Sequence, residues 1–305
     1  MPAPGIPWHV KPMDAPNDTA ENALAGLIDG LHRRGRLRVW SLVITVFGDA
    51  VVPRGGEAPL SGLQEVMARL GVEAGALRTA MSRLAGDGWV VRERRGRNSF
   101  FSLDEHGRHA FDLATRRIYA AGPPAWDGSW TVAIAPPWNP GARDEALHER
   151  GFLKIAAGIH LLPRTLGVDG DATFDDLLII HGASAEHPEM LRTLWPSNEI
   201  ADAYANLLTT YAPFARALSR APLNLPLDAM AARTLLIHDW RRIVLRDPGL
   251  PKALLPQDWP GENAGRMVRD IYRQLAPVSE KWLDETGLPA PVEPVAFSAR
   301  FGGLG

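Results

Sequence analysis

The sequence predicts an α+β protein in three parts: an N-terminal winged helix-turn-helix, a central ferredoxin-like domain and a helical C-terminal domain. Three observations lead there. Helical apolar patterns between Leu37 and Asp87 run straight into a basic hairpin pattern. A strand–helix–strand–strand order then fills a segment the size of a small sandwich. From Glu186 onward the apolar spacing is helical again.

Composition sets the outer limits. At 305 residues the chain suits two or three domains, and 46% hydrophobic with 22% charged residues is a globular balance. No apolar run approaches the ~20 residues that span a bilayer, and no secretory leader pattern opens the chain. The expectation is a cytoplasmic protein with no membrane partner. Cysteine is absent, which excludes disulfides, thiolate metal sites and cysteine nucleophiles. The net charge of −2 hides an asymmetry. Leu31–Ala120 carries 15 arginines, no lysine and 9 acidic residues, whereas Ala121–Gly305 is net acidic. A basic segment on an acidic body suggests that one part meets phosphate and the other does not.

Residues 1–30 open with five prolines by Pro16 and read as a mobile extension leading into a short helix near Ala20–Leu31. Residues 31–120 form the winged-helix unit with its linking helix. Its first helix carries Leu37, Val39, Trp40, Val43, Ile44 and Phe47, and stops at Gly48-Asp49 and Pro53-Arg54-Gly55-Gly56. Leu60–Leu70 and Glu73–Asp87 are the second and third helices. Trp89–Arg94 and Ser99–Leu103 are strands joined at Arg95–Asn98, and Leu103–Tyr119 is a linking helix. Residues 121–185 hold a strand at Ser129–Ala135, a helix at Arg143–Arg150, strands around Gly158 and a strand at Leu177–His181. Residues 186–288 read as helices near 186–195, 198–219, 228–246 and 263–286, with a proline-punctuated loop before the last. Residues 289–305 are a tail without an assigned role.

The third helix carries the functional argument. With Leu77, Ala80, Met81 and Leu84 inward, its other face presents Arg78, Thr79, Ser82 and Arg83. A recognition helix needs small residues where it enters the major groove, then arginines and hydroxyls that reach base edges or phosphates. Alone, that face equally suits the solvated side of an amphipathic helix. The hairpin decides between them: Arg92, Arg94, Arg95 and Arg97 crowd its tip, where a wing lies along phosphates or enters a minor groove. The expected partner is double-stranded operator DNA.

These residues resemble the PaaX family. The resemblance runs through Leu42–Asp49, Val52–Gly56, Leu77–Leu84 and Gly88-Trp89, then Gly151-Phe152 and Gly158–Pro163, and resumes at Leu245–Pro248, Leu250-Pro251, Leu254–Pro256 and Asp258–Gly261. It implies a homodimeric transcriptional repressor of phenylacetate catabolism, released from its operator by phenylacetyl-coenzyme A or a related aryl-coenzyme A thioester. It also implies a central domain similar to that of the CRISPR nuclease Cas2, read here as a dimerisation or scaffold unit, and a helical C-terminal domain, read as an effector and dimerisation domain. The proline-rich start and the tail after Leu288 depart from the family pattern.

Effector-binding candidates follow from this resemblance. Trp240 and Trp259 suit an aryl group but equally suit a core. Arg241, Arg242 and Arg246 suit coenzyme phosphates, as do Arg164 and Arg233. The loop Arg246–Gly261 reads either as a rigid cover, with Leu250, Leu254, Leu255 and Trp259 plugging a core, or as one wall of a pocket.

Catalysis is not expected. Phosphodiester cleavage needs a carboxylate at the end of the first central strand, yet Ser129–Ala135 has none and Asp127 precedes it. No GxSxG or Walker A motif occurs. His148, His160, His181 and His187 show no ligand-like spacing, so neither a metal nor a resident cofactor is expected. The alternative is an acyl-coenzyme A-handling enzyme with an N-terminal DNA-binding module, and a further one is an architectural DNA-binding protein without an effector.

Overall fold

A computed structural model describes residues 19–141, 143–165, 174–183, 192 and 198–303. It is a mixed α/β structure with two antiparallel sheets. Apart from residue 192, the expected helix near 186–195 lies outside the described residues, as does most of the N-terminal extension.

Helix α1 (Ala20–Arg33) is capped by Thr19, whose hydroxyl accepts from the Asn22 amide at 3.2 Å. It buries Ala20, Leu24, Leu27 and Leu31 on one stripe. Helix α2 (Val39–Val46) does not stop at Gly48-Asp49 as its sequence suggests. It continues through a π-helical turn over Phe47–Val51 and a 3-10 turn over Val52–Arg54. The reason is packing. A Cβ on Gly48 would stand 2.2 Å from the Phe111 ring, so this glycine admits a neighbouring helix rather than ending its own.

A short strand β1 (Glu57–Pro59) follows, which the sequence reading missed. Next come α3 (Leu60–Arg69) and α4 (Ala74–Gly86), then β2 (Val90–Arg95), β3 (Asn98–Leu103) and α5 (Glu105–Ile118). The first sheet has the order β1-β3-β2. Gly71 turns the chain between α3 and α4 at φ +74°. A side chain there would also meet His32, which contacts the Leu70 carbonyl oxygen at 2.9 Å.

The second sheet contains β4 (Trp126–Ile134), β5 (Leu153–Ala156), β6 (Ile159–Thr165) and β7 (Leu178–Ala183), with α6 (Asp144–Glu149) after β4. Its order is β5-β6-β4-β7, and every pair is antiparallel. Trp130 on one face packs with Leu250 and Leu254, while Ala133 on the other meets Leu147, Phe152 and Phe174. Asp127 lies within β4, not before it. An irregularity between Trp126 and Trp130 lets the strand begin three residues before Ser129. Its exposed carboxylate accepts from the Ser129 amide at 2.9 Å.

Three long helices complete the body: α7 (Asn198–Arg220), α8 (Pro226–Val244) and α9 (Gly261–Glu285). Proline opens α8, where its missing N–H costs nothing, so the helix starts two residues earlier than expected. Helix α8 is buried nearly all round because α2, α3, α5, α7 and α9 all pack on it. Residues from 31–120 and from 186–288 therefore share one hydrophobic core, running from Ala20 to Phe301.

His238 sits in this joint, 4% exposed, with Nδ1 3.3 Å from the Thr45 hydroxyl. Burial pushes its pKa down to about 4, and the nearby guanidiniums of Arg241 and Arg242 act in the same direction. The unfolded chain binds this proton near pH 6.5 and the folded one does not, so stability is full above that pH. It falls by about 3 kcal/mol as pH drops toward 4 and levels off below. Urea unfolding of His238→Gln is expected to lose this pH 4–6.5 slope. An unchanged slope would assign it to another group.

Candidate nucleic-acid interface

Helix α4 buries Leu77, Ala80, Met81 and Leu84, the stripe its spacing predicts. Arg78, Thr79, Ser82 and Arg83 are therefore exposed together. The Thr79 hydroxyl donates to the Gly75 carbonyl at 3.1 Å, so its proton is used within the helix and the oxygen can still accept. Arg78 makes no hydrogen bond or ion pair among the described residues. Arg83 reaches Asp87 at 3.4 Å, both side chains more than half exposed, so the pair is weak and easily exchanged for another anion. Its guanidinium also lies 6.0 Å from the Trp40 ring centre.

The β2–β3 hairpin follows directly, and Arg92, Arg94, Arg95 and Arg97 are all exposed on it. Their surroundings separate them. Arg92 donates to the Ser99 hydroxyl at 2.8 Å across the ladder, and Arg94 to the Gly96 carbonyl at 3.3 Å. Arg97 has no partner among the described residues. Arg95 differs: it bonds both oxygens of Glu57 at 2.7 Å and Glu93 at 2.6 and 2.8 Å, and lies 4.7 Å over the Phe100 ring. Its pKa is raised by the Glu93 and Glu57 hydrogen bonds. Arg95 thus braces the hairpin against β1 with a neutralised charge, while Arg92, Arg94 and Arg97 keep theirs. The sequence could not show this, because Glu57 lies 38 residues away.

The effector candidates fall differently, some buried in the core and some exposed. Trp240 is buried: its indole N–H donates to the Ile118 carbonyl at 2.8 Å. Tyr204 stands between Trp240 and Trp259, 5.8 Å from each ring. Leu250 and Leu254 fill the second sheet's core, as the covering-segment reading expects. Arg241 turns toward α2, donating to the Thr45 hydroxyl at 2.8 Å and to the Ser41 carbonyl and hydroxyl at 2.9 and 2.6 Å. Burial, with Arg242 beside it, lowers its pKa to about 10. Arg242 and Arg246 are exposed, the latter 3.1 Å from Glu199. Arg164 is exposed on β6.

Arg233 is fully buried and belongs to a network that no spacing announced. Asp49, also buried, accepts from Arg233 Nε at 2.6 Å, Tyr119 at 2.6 Å, Tyr272 at 2.9 Å and Arg300 at 3.1 Å. Arg233 further donates to Glu280 at 2.5 Å and to Ser279 at 3.0 Å. Burial pushes the Asp49 carboxyl up, but the guanidiniums of Arg233 and Arg300 outweigh it and hold it below the ordinary range. Arg300 lies in the tail given no role above. After α10 (Pro294–Ser298) the tail inserts Arg300 and Phe301 into the core beside Tyr119 and Tyr272. This network fastens the segment behind the helical face to the C-terminal body.

Among the described residues no helix is long and apolar enough to cross a membrane. Residues 38–107 match the sequence pattern described as PaaX-like protein, and residues 195–285 match that of the PaaX-like protein C-terminal domain. The chain is 31% identical over 286 residues to the transcriptional repressor PaaX of Escherichia coli (strain K12), covering 87% of this chain and 90% of that one. A solved structure of an uncharacterized protein from Mycobacterium tuberculosis shares the fold, with a TM-score of 0.50 at 19% identity over 87% of this chain and 99% of that chain. With both patterns in order along the sequence and that identity over nearly its whole length, the chain belongs to the PaaX family.

Proposed function

We propose that the protein is a cytoplasmic, homodimeric transcriptional repressor of an aromatic, phenylacetate-type catabolic operon. In this reading α3 and α4 with the β2–β3 hairpin are a winged helix-turn-helix. Helix α4 enters the major groove and the hairpin lies along the adjacent backbone. The observation that carries it is the exposed face of α4, where Arg78 and Arg83 stand free or weakly paired beside the unneutralised hairpin arginines. The repressor named among the relatives supports the regulatory half of the reading.

The second sheet, with its first strand between its third and fourth, has the strand order of a ferredoxin-like domain and serves in this reading as the dimerisation unit. Two copies would set two recognition helices one or more helical turns of DNA apart, about 34 Å or a multiple. An aryl-coenzyme A thioester would release the operator by binding more tightly to a geometry that no longer fits that spacing. A hundredfold loss of DNA affinity requires about 2.7 kcal/mol of such coupling.

The test is a gel shift on a duplex spanning the promoter region of the protein's own gene, with and without phenylacetyl-coenzyme A. Tight specific binding is expected, relieved by the thioester and not by free phenylacetate. Binding indifferent to the thioester would discard the effector, and absence of specific binding would discard the DNA interface.

A further inference from the structure

Four arginines in six residues, Arg33-Arg34-Gly35-Arg36-Leu37-Arg38, join α1 to α2 with no acidic residue among them. Helix α1 ends at Arg33, and Gly35 takes φ +101°, a conformation that turns the chain and suits glycine. Beyond it Leu37 and Val39 pack on the core, while Arg36 and Arg38 between and before them are exposed. The alternation fixes the two guanidiniums on the solvent side.

Neighbouring charges separate Arg36 and Arg38 from several other arginines of the basic segment. Arg34 bonds Asp239 at 2.8 Å, Arg69 bonds Asp228 at 2.5 Å, and Arg54 bonds Glu280 at 2.6 Å. Arg117 donates to carbonyls at the end of α8, 2.9 Å from that of Val244. Those side chains fasten the basic segment to the body. Arg36 and Arg38 have no hydrogen bond or ion pair from their side chains among the described residues, the condition that Arg78 and Arg97 also meet. Helix α2 packs on α4, and Trp40, two residues past Arg38, lies under the Arg83 guanidinium at 6.0 Å. The segment therefore enters α2 beside the exposed face of α4.

We infer that this segment is a third DNA-contacting element, in which Arg36 and Arg38 grip backbone phosphates flanking the bases that α4 reads. The inference rests on the repressor reading above and extends its surface to residues that neither the recognition helix nor the hairpin contains. Phosphate contacts of this kind position the protein without reading sequence. Their signature is salt dependence: each neutralised phosphate steepens the fall of log K with log salt by about 0.9.

The full-length Arg36→Ala/Arg38→Ala variant should be titrated by fluorescence anisotropy between about 50 and 300 mM salt. The duplexes are the promoter fragment and a shuffled one. The slope is expected to become shallower by about 2 on both, with binding roughly tenfold weaker near 0.1 M salt. The Arg36→Lys/Arg38→Lys variant should keep the original slope, which separates charge from folding. Arg83→Ala serves as the reference. If it weakens promoter binding while the Arg36/Arg38 alanine variant leaves the slope unchanged, the segment lies off the DNA and the inference fails alone. If neither change affects binding, the repressor reading fails with it.

Discussion

Asp49→Ala is expected to be the most destabilising single substitution in this protein. Its carboxylate is 1% exposed and answers two buried guanidiniums, Arg233 and Arg300, and two tyrosine hydroxyls. Removing one partner of a buried ion pair leaves an uncompensated charge and costs about 3–5 kcal/mol. Here Arg300 loses the carboxylate it pairs with and Arg233 keeps only Glu280, in a fold whose total stability is of order 5–15 kcal/mol. Urea unfolding should show a large drop in midpoint, or no folded protein at room temperature. Arg300→Met is expected to cost less, since Asp49 keeps Arg233 at 2.6 Å and the hydroxyls of Tyr119 and Tyr272. A triple change to apolar residues at Asp49, Arg233 and Arg300 should recover part of the loss, because no charge is left unanswered. An Asp49→Ala midpoint equal to that of the parent would mean that the guanidiniums find other partners. The sign with pH follows from the depressed carboxyl. Its contribution is complete above the ordinary aspartate range near pH 4 and disappears only as pH falls through the lower folded value.

The second large effect concerns DNA. Arg78→Ala/Arg83→Ala is expected to remove most specific affinity while leaving the fold intact, because both side chains are exposed and the ion pair lost among the described residues is the loose one to Asp87. A good arginine contact to a base is worth about 1–3 kcal/mol of discrimination, so the pair should cost roughly thirtyfold or more on the promoter duplex. A shuffled duplex, which lacks those base contacts, should lose much less. Arg216→Ala, on the exposed side of α7, should change neither. Equal losses on both duplexes would move these arginines from base reading to phosphate contact.

Much of this surface was legible in the sequence. Leu77, Ala80, Met81 and Leu84 recur at helical spacing, so which residues of α4 face outward followed from period alone. The hairpin was equally local: a switch to alternating residues, a glycine at the turn and a cluster of arginines. The helical body from Asn198 to Glu285 followed the same logic, and its helix ends shifted by no more than two residues, at one of them because a proline opens the helix.

What spacing could not supply is the partner of each polar group. Gly48-Asp49 reads as a helix stop, yet the glycine makes room for Phe111 and the aspartate anchors the core. Arg233 and Arg241 look like free cations for a ligand, and the fold gives them Asp49 and the α2 hydroxyls instead. Arg95 looks like its hairpin neighbours until Glu57 neutralises it. The tail after Leu288 carries no periodic signal, but it delivers Arg300 to a site 251 residues upstream. Apolar periodicity records only that a side chain is buried, a property of the local helix or strand. The pairing of buried charges depends on distant segments meeting, and it was therefore decided by the tertiary structure alone.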